Sequence, residues 1–328
     1  MIICRTPFRV SFFGGGTDYP GWYRQHGGAV LSTTIDKYSY ITCRELPPFF
    51  DHKYRIAYSR VENAKTVDDI EHPAVRAVLR EHPFEHGLEI HNDADLPARS
   101  GLGSSSSFVV GLLNALYAMR GRRVSSEQLA YEAIRIEQEV INENVGSQDQ
   151  TAAAFGGFNL IRFHQDGNIQ VEPVILPKVR IEALNNHLIL FFTGFSCIAS
   201  DIAKSKIDNL DKKATELHKM RAMVDEALHI LSGSGDIRQF GELLHETWMY
   251  KRGLSNQVTT NEIDQIYEAA LHAGATGGKL IGAGGGGFMM LFVAPEQQPA
   301  VRAALSHLIC VPFRFDYTGS QIIYYRPE

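Results

Sequence analysis

The chain has 328 residues, a length that favours two domains sharing a cleft over one domain. Its 44% hydrophobic and 21% charged residues are typical of an ordinary soluble globular protein. The net charge of −5 gives no support for a nucleic-acid or anionic-membrane surface, so an anionic ligand must be met by a local group of cations.

The cysteines and apolar segments indicate a cytoplasmic location. Cys4, Cys43, Cys197 and Cys310 are far apart, without a CxxC pair or zinc-ligand spacing, which predicts reduced thiols. The start, MIICRTPFRV, lacks the basic residues and long apolar core of a signal peptide. The longest apolar run, HLILFFTGFSCIA, is too short and too polar to span a bilayer. We therefore expect a cytoplasmic protein without nucleic-acid or membrane partners.

The first half of the chain predicts strands and then helices. MIICRTPFRVSFFGG, GAVLSTTI and YSYITCREL are rich in β-branched and aromatic residues and read as three strands separated by glycine-containing turns. A short helix, HPAVRAVLREH, and a strand, GLEIHND, come before a Gly/Ser loop and an apolar helix. The next helix, SSEQLAYEAIRIEQEVINEN, opens with a capping box from Ser125 to Gln128.

Arg9 lies inside the apolar first strand, and Asp18 follows after a glycine turn. A buried arginine needs a carboxylate partner whether or not it has a function. A structural ion pair between Arg9 and an aspartate is therefore one interpretation, and a functional site is the other.

The segment PARSGLGSSSSF places Gly101, Gly103 and four serines, Ser104 to Ser107, directly before the apolar helix. One serine is enough to cap a helix. Glycines allow positive φ angles and the close approach of a ligand, and the free N–H groups at a helix start attract anions. The stretch is thus either a polar loop that caps a helix or an anion site.

Two carboxylates in IEQEVINENVGSQDQTAAAFGG are candidates for chemistry. Glu137 sits beside the apolar stripe of its helix, where it is either a solvent-edge residue or the partner of a cation. Glu139 projects away and is expected in solvent. Asp149 lies in a polar loop, where it is either a general base or the cap of the following turn.

The second half mixes strands and helices without regular alternation. After a boundary near residue 179 it predicts a strand, HLILFFT, a long charged helix over about 201–231, and the helix IRQFGELLHETWMY. Lys251 and Arg252 follow near that helix end, where basic residues usually complement the helix dipole. A further helix, NEIDQIYEAALHA, is preceded by Thr259 and ended by Gly274. A glycine loop, the strand FMMLFVA, a Pro295-led helix and two closing strands complete an α+β pattern.

The second glycine loop, GKLIGAGGGG, contains the spacing G-x-G-x-x-G. The order helix, loop, strand excludes a dinucleotide fingerprint, and Leu280 after Lys279 excludes a P-loop. A glycine-rich hairpin remains one interpretation. Four adjacent glycines, Gly284 to Gly287, favour close approach of this backbone to another group.

Taken together, these segments resemble the GHMP kinases, the family of galactokinase, homoserine kinase, mevalonate kinase and phosphomevalonate kinase. TPFRVSFFGGGTDY, PARSGLGSSSS and KLIGAGGGG match its three motifs in order and spacing over nearly the whole chain. GGGTDYP, AVLSTTIDKY and FFTGFSCIASDI look most like the branch that acts on D-glycero-D-manno-heptose 7-phosphate. Gly15 and Gly16 depart from galactokinases, and Cys197 replaces an expected basic residue, which puts one contact to the substrate phosphate in doubt.

The resemblance implies a GHMP kinase N-terminal ATP-binding domain of ribosomal-protein-S5-like fold over 1–178 and a ferredoxin-like C-terminal domain over 179–328, with ATP and Mg²⁺ as cofactors. The implied catalytic residues are Asp149 as the base and Arg9 on the transferred phosphoryl group. Ser105 and Glu137 are the implied Mg²⁺ ligands. The implied phosphate-binding residues are Gly101, Leu102, Gly103, Ser104, Ser105, Ser106 and Ser107. The implied substrate-binding residues are Asp18, Gly15, Gly16, Thr17, Lys251, Arg252, Gly284 and Gly285.

The resulting expectation is a monomeric or homodimeric kinase that phosphorylates the anomeric hydroxyl of heptose 7-phosphate. Another sugar 1-kinase, for example one acting on L-fucose, is the nearest alternative. A non-catalytic binding homologue is the alternative of a different class.

Overall fold

The structure is a computed structural model that describes residues 1–98, 100–194, 199–207 and 209–326. Its strands are β1 (Ile2–Phe13), β2 (Gly28–Leu46), β3 (Tyr54–Ala57), β4 (Val61–Ala64), β5 (Gly87–Ala94), β6 (Phe158–Phe163), β7 (Ile169–Pro173), β8 (Leu188–Phe192), β9 (Ala275–Leu280), β10 (Phe288–Val293), β11 (Ile309–Val311), β12 (Phe315–Asp316) and β13 (Gln321–Tyr325). Its α-helices are α1 (Pro20–His26), α2 (Pro73–Glu81), α3 (Ser104–Met119), α4 (Ser126–Arg135), α5 (Gln148–Phe155), α6 (Lys178–His187), α7 (Ala199–Ile207), α8 (Ala214–Ser232), α9 (Arg238–Arg252), α10 (Asn261–His272) and α11 (Gln298–Ala304).

The larger sheet is built around two long antiparallel strands, β1 and β2. Its order is β13-β1-β2-β5-β3-β4, with β6 and β12 also paired to β2, and β7 paired to β6. The register between β1 and β2 shifts at Pro7/Phe8, where proline cannot donate a hydrogen bond to the ladder. Strand β2 runs unbroken from Gly28 to Leu46, so the predicted turn between GAVLSTTI and YSYITCREL is wrong.

Helix α3 lies at the centre of the core beside this sheet. Most of its side chains are buried, and Leu112 and Leu116 belong to one cluster with Ile41 of β2, Val78 of α2 and Leu129 of α4. A helix that is apolar on nearly all sides must be enclosed by its neighbours. The enclosure fixes the start of α3, and with it the Gly/Ser loop, against β1.

The smaller sheet is antiparallel, in the order β11-β8-β10-β9, and shares a core with the larger one through α8 and α9. Phe240 of α9 makes edge-to-face contacts with Phe12 and Phe13 of β1, at ring-centroid distances of 5.5 and 5.1 Å. Such pairs stabilise the interface beyond the burial of their area. The α+β prediction is confirmed, and the two sheets meet at a common cleft.

Several predicted boundaries need correction. The long charged helix is broken: α7 ends at Ile207, a 3₁₀ turn covers Asp211–Lys213, and α8 begins at Ala214. Three short strands close the chain instead of two, and β12 and β13 return to pair with β2 and β1 of the larger sheet. The division at 178/179 stays a prediction, with these two strands crossing back over it.

The helix starts follow capping chemistry, with two corrections. Ser125 caps α4 by accepting from the Gln128 N–H, as predicted. The cap of α10 is Thr260, which accepts from the Ile263 N–H, and not Thr259. Helix α3 has Gly103 as its N-cap, with φ +77° and no side-chain cap, so the interpretation of the serines as helix caps is wrong. The left-handed backbone of Gly103 turns the chain into the helix, which leaves the serine hydroxyls available for other contacts.

The second glycine loop connects β9 to β10, which pair antiparallel. The order is therefore helix, strand, loop, strand, which corrects the predicted order and makes the loop a glycine-rich hairpin. A dinucleotide fingerprint stays excluded because a strand and not a helix follows the loop. In the part of the chain that the structure describes, no helix has both the length and the apolar character needed to cross a membrane.

Candidate active site

A cavity of about 260 Å³ opens where the two sheets meet, between the Gly/Ser loop, the glycine turn after β1, the start of α5, helix α7 and the β9–β10 hairpin. Its lining includes Arg9, Lys206, Lys251 and Lys279 together with Asp18, Glu143 and Asp149. Four basic side chains are thus gathered in a protein of net charge −5. Because the protein as a whole is negatively charged, an anionic ligand needs such a local group of basic residues.

Arg9 and Asp149 form a bidentate ion pair at the cavity wall. Arg9 Nε donates to Asp149 Oδ1 at 2.8 Å and Nη2 donates to Oδ2 at 2.7 Å. Arg9 is only 4% exposed, and Asp149 stands in the first turn of α5, where the helix dipole favours a carboxylate. The partner of Arg9 is therefore Asp149 and not Asp18. The third donor, Nη1, reaches the carbonyl of Gly101 at 2.7 Å.

The Gly/Ser loop lies directly against this pair. A Cβ on Gly103 would lie 3.3 Å from Arg9 Cγ and 3.5 Å from Asp149 Oδ2. Ser104, Ser105 and Ser106 begin α3 and line the cavity, so the N-terminus of this helix faces the space between the loop and Asp149. Backbone N–H groups in the first turn of a helix, together with the positive end of the helix dipole, favour the binding of phosphate oxygens.

The two glycine loops press on each other. Cβ atoms on Gly101 and Gly282 would overlap the backbone of the opposite loop, and one on Gly287 would overlap the carbonyl of Ser100. The Lys251 ammonium stabilises the hairpin by donating to the carbonyls of Leu280 and Gly282, both at 2.7 Å. Close approach thus explains the glycines, as the sequence predicted.

Glu137 lies behind the serines. It is fully buried on an irregular π turn, Ile136–Val140, that continues α4. Ser106 Oγ donates to Glu137 Oε2 at 2.8 Å, Ser105 Oγ donates to Oε1 at 3.2 Å, and the Gln150 amide is a third partner. Burial raises the pKa of the Glu137 carboxyl to about 8, because the ionised form is desolvated there. Glu139 is exposed, as predicted.

The Ser105 hydroxyl and the Glu137 carboxylate suit Mg²⁺ by their chemistry, since hard oxygen ligands are those the ion prefers. The orphaned Oε1 of Gln150 beside Glu137 is a further buried polar atom at this place. In the described residues there is no group of three or more His, Cys, Asp and Glu side chains that could hold a metal. A magnesium ion here would therefore take most of its ligands from phosphates and water.

Asp18 is held at the other side of the cavity by the glycine turn. It is 2% exposed, accepts from the Gly16 N–H at 2.9 Å, and stands against Gly146, where a Cβ would overlap its carboxylate. Burial, and to a smaller degree the nearby charge of Asp149, raises the pKa of the Asp18 carboxyl. Gly15 and Gly16 line the cavity beside it.

Three buried lysines complete the lining, and only Lys251 among them was a predicted site residue. Lys279 donates to the Phe12 carbonyl at 2.8 Å, and Lys206 projects from α7. Burial lowers the pKa of Lys206 to about 8 and that of Lys279 to about 7, and it lowers the pKa of Lys251 well below its ordinary value. Lys206 lies in a segment for which the sequence predicted only a charged helix, and no motif there indicated a site residue.

Some predicted site residues lie outside the cavity. Arg252 forms an ion pair with Asp264 at 2.8 Å, and the Gly284–Gly285 stretch packs on Val258. Thr17 donates to the carbonyls of Gly14 and Ala29, which braces the turn below Asp18. Leu102 is in the core, and Ser107 Oγ donates to the Pro7 carbonyl at 2.9 Å. Cys197 lies outside the described residues.

Comparison with known proteins identifies the family. Models of the GHMP kinases N terminal domain and of the GHMP kinases C terminal domain match residues 69–157 and 223–308. The D-glycero-alpha-D-manno-heptose 7-phosphate kinase of Campylobacter jejuni is 30% identical, and the alignment covers 90% of this chain and 91% of that one. The chain belongs to the GHMP kinase family. The predicted two-domain fold is confirmed, and GHMP kinases use ATP.

Two further relatives extend the comparison. The solved structure of a D-glycero-D-manno-heptose 1-phosphate kinase from Bacteroides thetaiotaomicron has a TM-score of 0.81 at 26% identity and covers 99% of this chain and 100% of that chain. A bifunctional fucokinase/GDP-fucose pyrophosphorylase of Arabidopsis thaliana is 25% identical over 89% of this chain and 30% of its own length. These GHMP relatives support a sugar kinase, a phosphotransferase that acts on small molecules.

Proposed function

We propose that this GHMP kinase transfers the γ-phosphoryl group of ATP to the anomeric hydroxyl of D-glycero-D-manno-heptose 7-phosphate, giving ADP and the 1,7-bisphosphate. The observation that carries the proposal is a single cavity that joins a phosphate loop, the Arg9–Asp149 pair and several buried lysines. The 30% identity to a heptose 7-phosphate kinase supports the choice of acceptor.

The Arg9–Asp149 pair provides the chemistry of transfer. In this proposal Asp149 accepts the proton of the attacking sugar hydroxyl. The hydroxyl oxygen forms a bond to the γ-phosphorus of ATP, and the bond between that phosphorus and the leaving ADP oxygen breaks. Arg9 stabilises the charge that develops on the transferred group. The ion pair fixes the orientation of the carboxylate, and both groups lie within reach of the start of α3.

The remaining roles follow from position. Ser105 and Glu137 would hold Mg²⁺, which would neutralise charge on the phosphates of ATP. The N–H groups of Ser104 to Ser106 would bind phosphate oxygens, and Asp18 would accept hydrogen bonds from sugar hydroxyls. The part of Lys251 in substrate binding stays a prediction, and its ammonium already donates to two carbonyls of the hairpin.

The experiment is a coupled assay of ADP release across sugars and sugar phosphates. We expect the highest kcat/KM with heptose 7-phosphate and ³¹P NMR evidence of a new phosphate at the anomeric carbon. Strong turnover of free L-fucose without turnover of heptose 7-phosphate would replace the proposal by the alternative sugar 1-kinase. Absence of ATP turnover with every acceptor, in a folded protein that binds ATP, would favour a non-catalytic homologue.

A further inference from the structure

Lys206 differs from the other buried cations of the cavity in having its donors unused. Arg9 is neutralised by Asp149, Lys279 donates to Phe12, and Lys251 donates to the hairpin. Lys206 is 6% exposed and lines the cavity. No residue in the described ranges, 1–98, 100–194, 199–207 and 209–326, accepts a hydrogen bond from its ammonium group.

A buried ammonium without hydrogen-bond acceptors is expensive unless a ligand supplies them. Asp18 and Asp149 favour its charged form through space, but neither one forms an ion pair with it. Helix α7 is also tied to the segment that follows α9, because the hydroxyl groups of Ser205 and Ser255 form a hydrogen bond of 2.7 Å. The position of Lys206 is therefore built into the fold, and its free donors point to an anionic group inside the cavity.

The location of Lys206 distinguishes this anion from the phosphates of ATP. Lys206 shares its part of the wall with Gly16, Tyr19 and Leu254, and these four residues also line a small side pocket. The residues of the phosphate loop, Gly101, Gly103 and the serines, line the main cavity but not the side pocket. The unsatisfied cation thus stands on the side of Asp18, where the acceptor sugar is expected.

We propose that Lys206 binds the phosphate group that the acceptor sugar already carries and so selects a sugar phosphate over the free sugar. This rests on the proposed function and adds a specificity-determining residue to it. Charge-assisted hydrogen bonds from the ammonium would hold two phosphate oxygens and would satisfy the donors that the protein leaves open. The free sugar would supply no phosphate oxygens to Lys206 and so would gain none of this stabilisation.

The test compares Lys206→Met, Lys206→Arg and the control Lys204→Met, whose side chain is exposed on the same helix. Each variant is assayed with heptose 7-phosphate, free heptose and ATP. We expect Lys206→Met to raise KM for heptose 7-phosphate by about 10- to 100-fold, the usual effect of losing a charged hydrogen bond, with little change for ATP or free heptose. Lys206→Arg should recover most of the preference, and Lys204→Met should behave as wild type.

A thermal melt separates ligand binding from a structural role. Because the Lys206 ammonium has no acceptor in the described residues, Lys206→Met should keep or raise the melting temperature. A lower melting temperature with equal loss on both sugars would overturn the inference. So would a fall in kcat with every KM unchanged, which would place the ammonium on the transferred phosphoryl group.

The inference and the proposed function can fail separately. If wild type prefers heptose 7-phosphate and Lys206→Met retains that preference, the inference falls and the proposed function stands. If wild type phosphorylates only free sugars, both fall.

Discussion

The two glycine-rich loops have similar compositions but need their glycines for different reasons. In the first loop, Gly103 turns the chain into α3 with a left-handed backbone and lets Arg9 and Asp149 approach. In the hairpin, a Cβ on Gly282 would overlap the first loop and one on Gly284 would overlap Val258, so its glycines are set by packing between elements. The first loop contacts the proposed catalytic pair, and the hairpin holds the first loop in position.

This contrast predicts that changes on the side of the first loop reduce rate and that changes in the hairpin reduce stability. The largest expected effect is on the chemical side. Asp149→Asn keeps the shape of the side chain and one acceptor for Arg9 but removes the proposed base. We expect kcat to fall by about 10²- to 10⁴-fold, the usual contribution of a general base, while KM for ATP changes little. Steady-state and single-turnover kinetics measure this.

Glu139→Gln is the matched control for that variant, because Glu139 is an exposed carboxylate near the same site and should leave kcat unchanged. A wild-type rate in Asp149→Asn would remove Asp149 from its proposed role. The Arg9–Asp149 contact would then be the structural ion pair that the sequence also allowed.

The hairpin provides the complementary variant, Gly282→Ala. Its φ of +80° is strained for alanine, and the new Cβ would overlap the Cα of Gly101. We expect a loss of roughly 2–5 kcal/mol in the free energy of unfolding, from strain and overpacking together. Chemical denaturation measures it. Gly121→Ala is the control, because Gly121 also has positive φ but meets nothing within 4 Å.

Gly103→Ala sharpens the same comparison. Its Cβ would meet side-chain atoms of Arg9 and Asp149 at 3.3 to 3.6 Å, which can yield slightly, so its loss of stability should approach that of Gly121→Ala. Its loss of kcat should exceed that of Gly282→Ala at equal folded fraction. A larger loss of kcat in Gly282→Ala than in Gly103→Ala would contradict the assignment of the first loop to catalysis and of the hairpin to stability.

The sequence predicts the features that depend on neighbours in the chain better than the contacts between distant segments. The motifs and the cap signals predicted both loops, the α+β class and most helices, because these depend on neighbours in the chain. The carboxylate partner of Arg9 could not be chosen between Asp18 and Asp149, since that choice depends on how α5 docks on β1. Lys206 could not be found, because its burial results from packing of α7 against the cavity and not from its own segment.

The metal ligands are tested by Glu137→Gln. The amide keeps the shape of the side chain and one acceptor oxygen for a serine hydroxyl, but it replaces the second acceptor by an NH2 group and removes the charge that a cation needs. We expect the Mg²⁺ concentration for half-maximal rate to rise by about 10- to 100-fold, as for loss of a ligand-shell group. A magnesium titration at saturating ATP measures it, and an unchanged midpoint would exclude Glu137 from the ion's surroundings.

The pH dependence of substrate binding tests Lys206 without changing the fold. Burial lowers the pKa of the Lys206 ammonium to about 8, and Asp18 and Asp149 oppose this shift by favouring the charged form. Burial and, to a smaller degree, the positive charge of Lys206 lower the pKa of Lys279. The Lys206 ammonium is charged below about pH 8 and neutral above it. KM for heptose 7-phosphate should therefore rise above pH 8, by up to about tenfold per pH unit, while KM for free heptose stays flat. In Lys206→Arg the rise should disappear, because arginine keeps its charge.

The smallest expected effect concerns Ser11, which lines the cavity beside Gly15 and is 6% exposed. Its hydroxyl has no hydrogen-bond partner in the described part of the chain, and buried polar groups without a partner are rare in folded proteins. We expect it to bind a sugar hydroxyl, so that Ser11→Ala raises KM for the acceptor about three- to tenfold and leaves KM for ATP unchanged. Thr17→Ser is a useful control, since it retains a hydroxyl that braces the neighbouring turn. An acceptor KM equal to that of wild type in Ser11→Ala would mean that the sugar does not reach this wall, and the acceptor would then have to lie nearer to the phosphate loop.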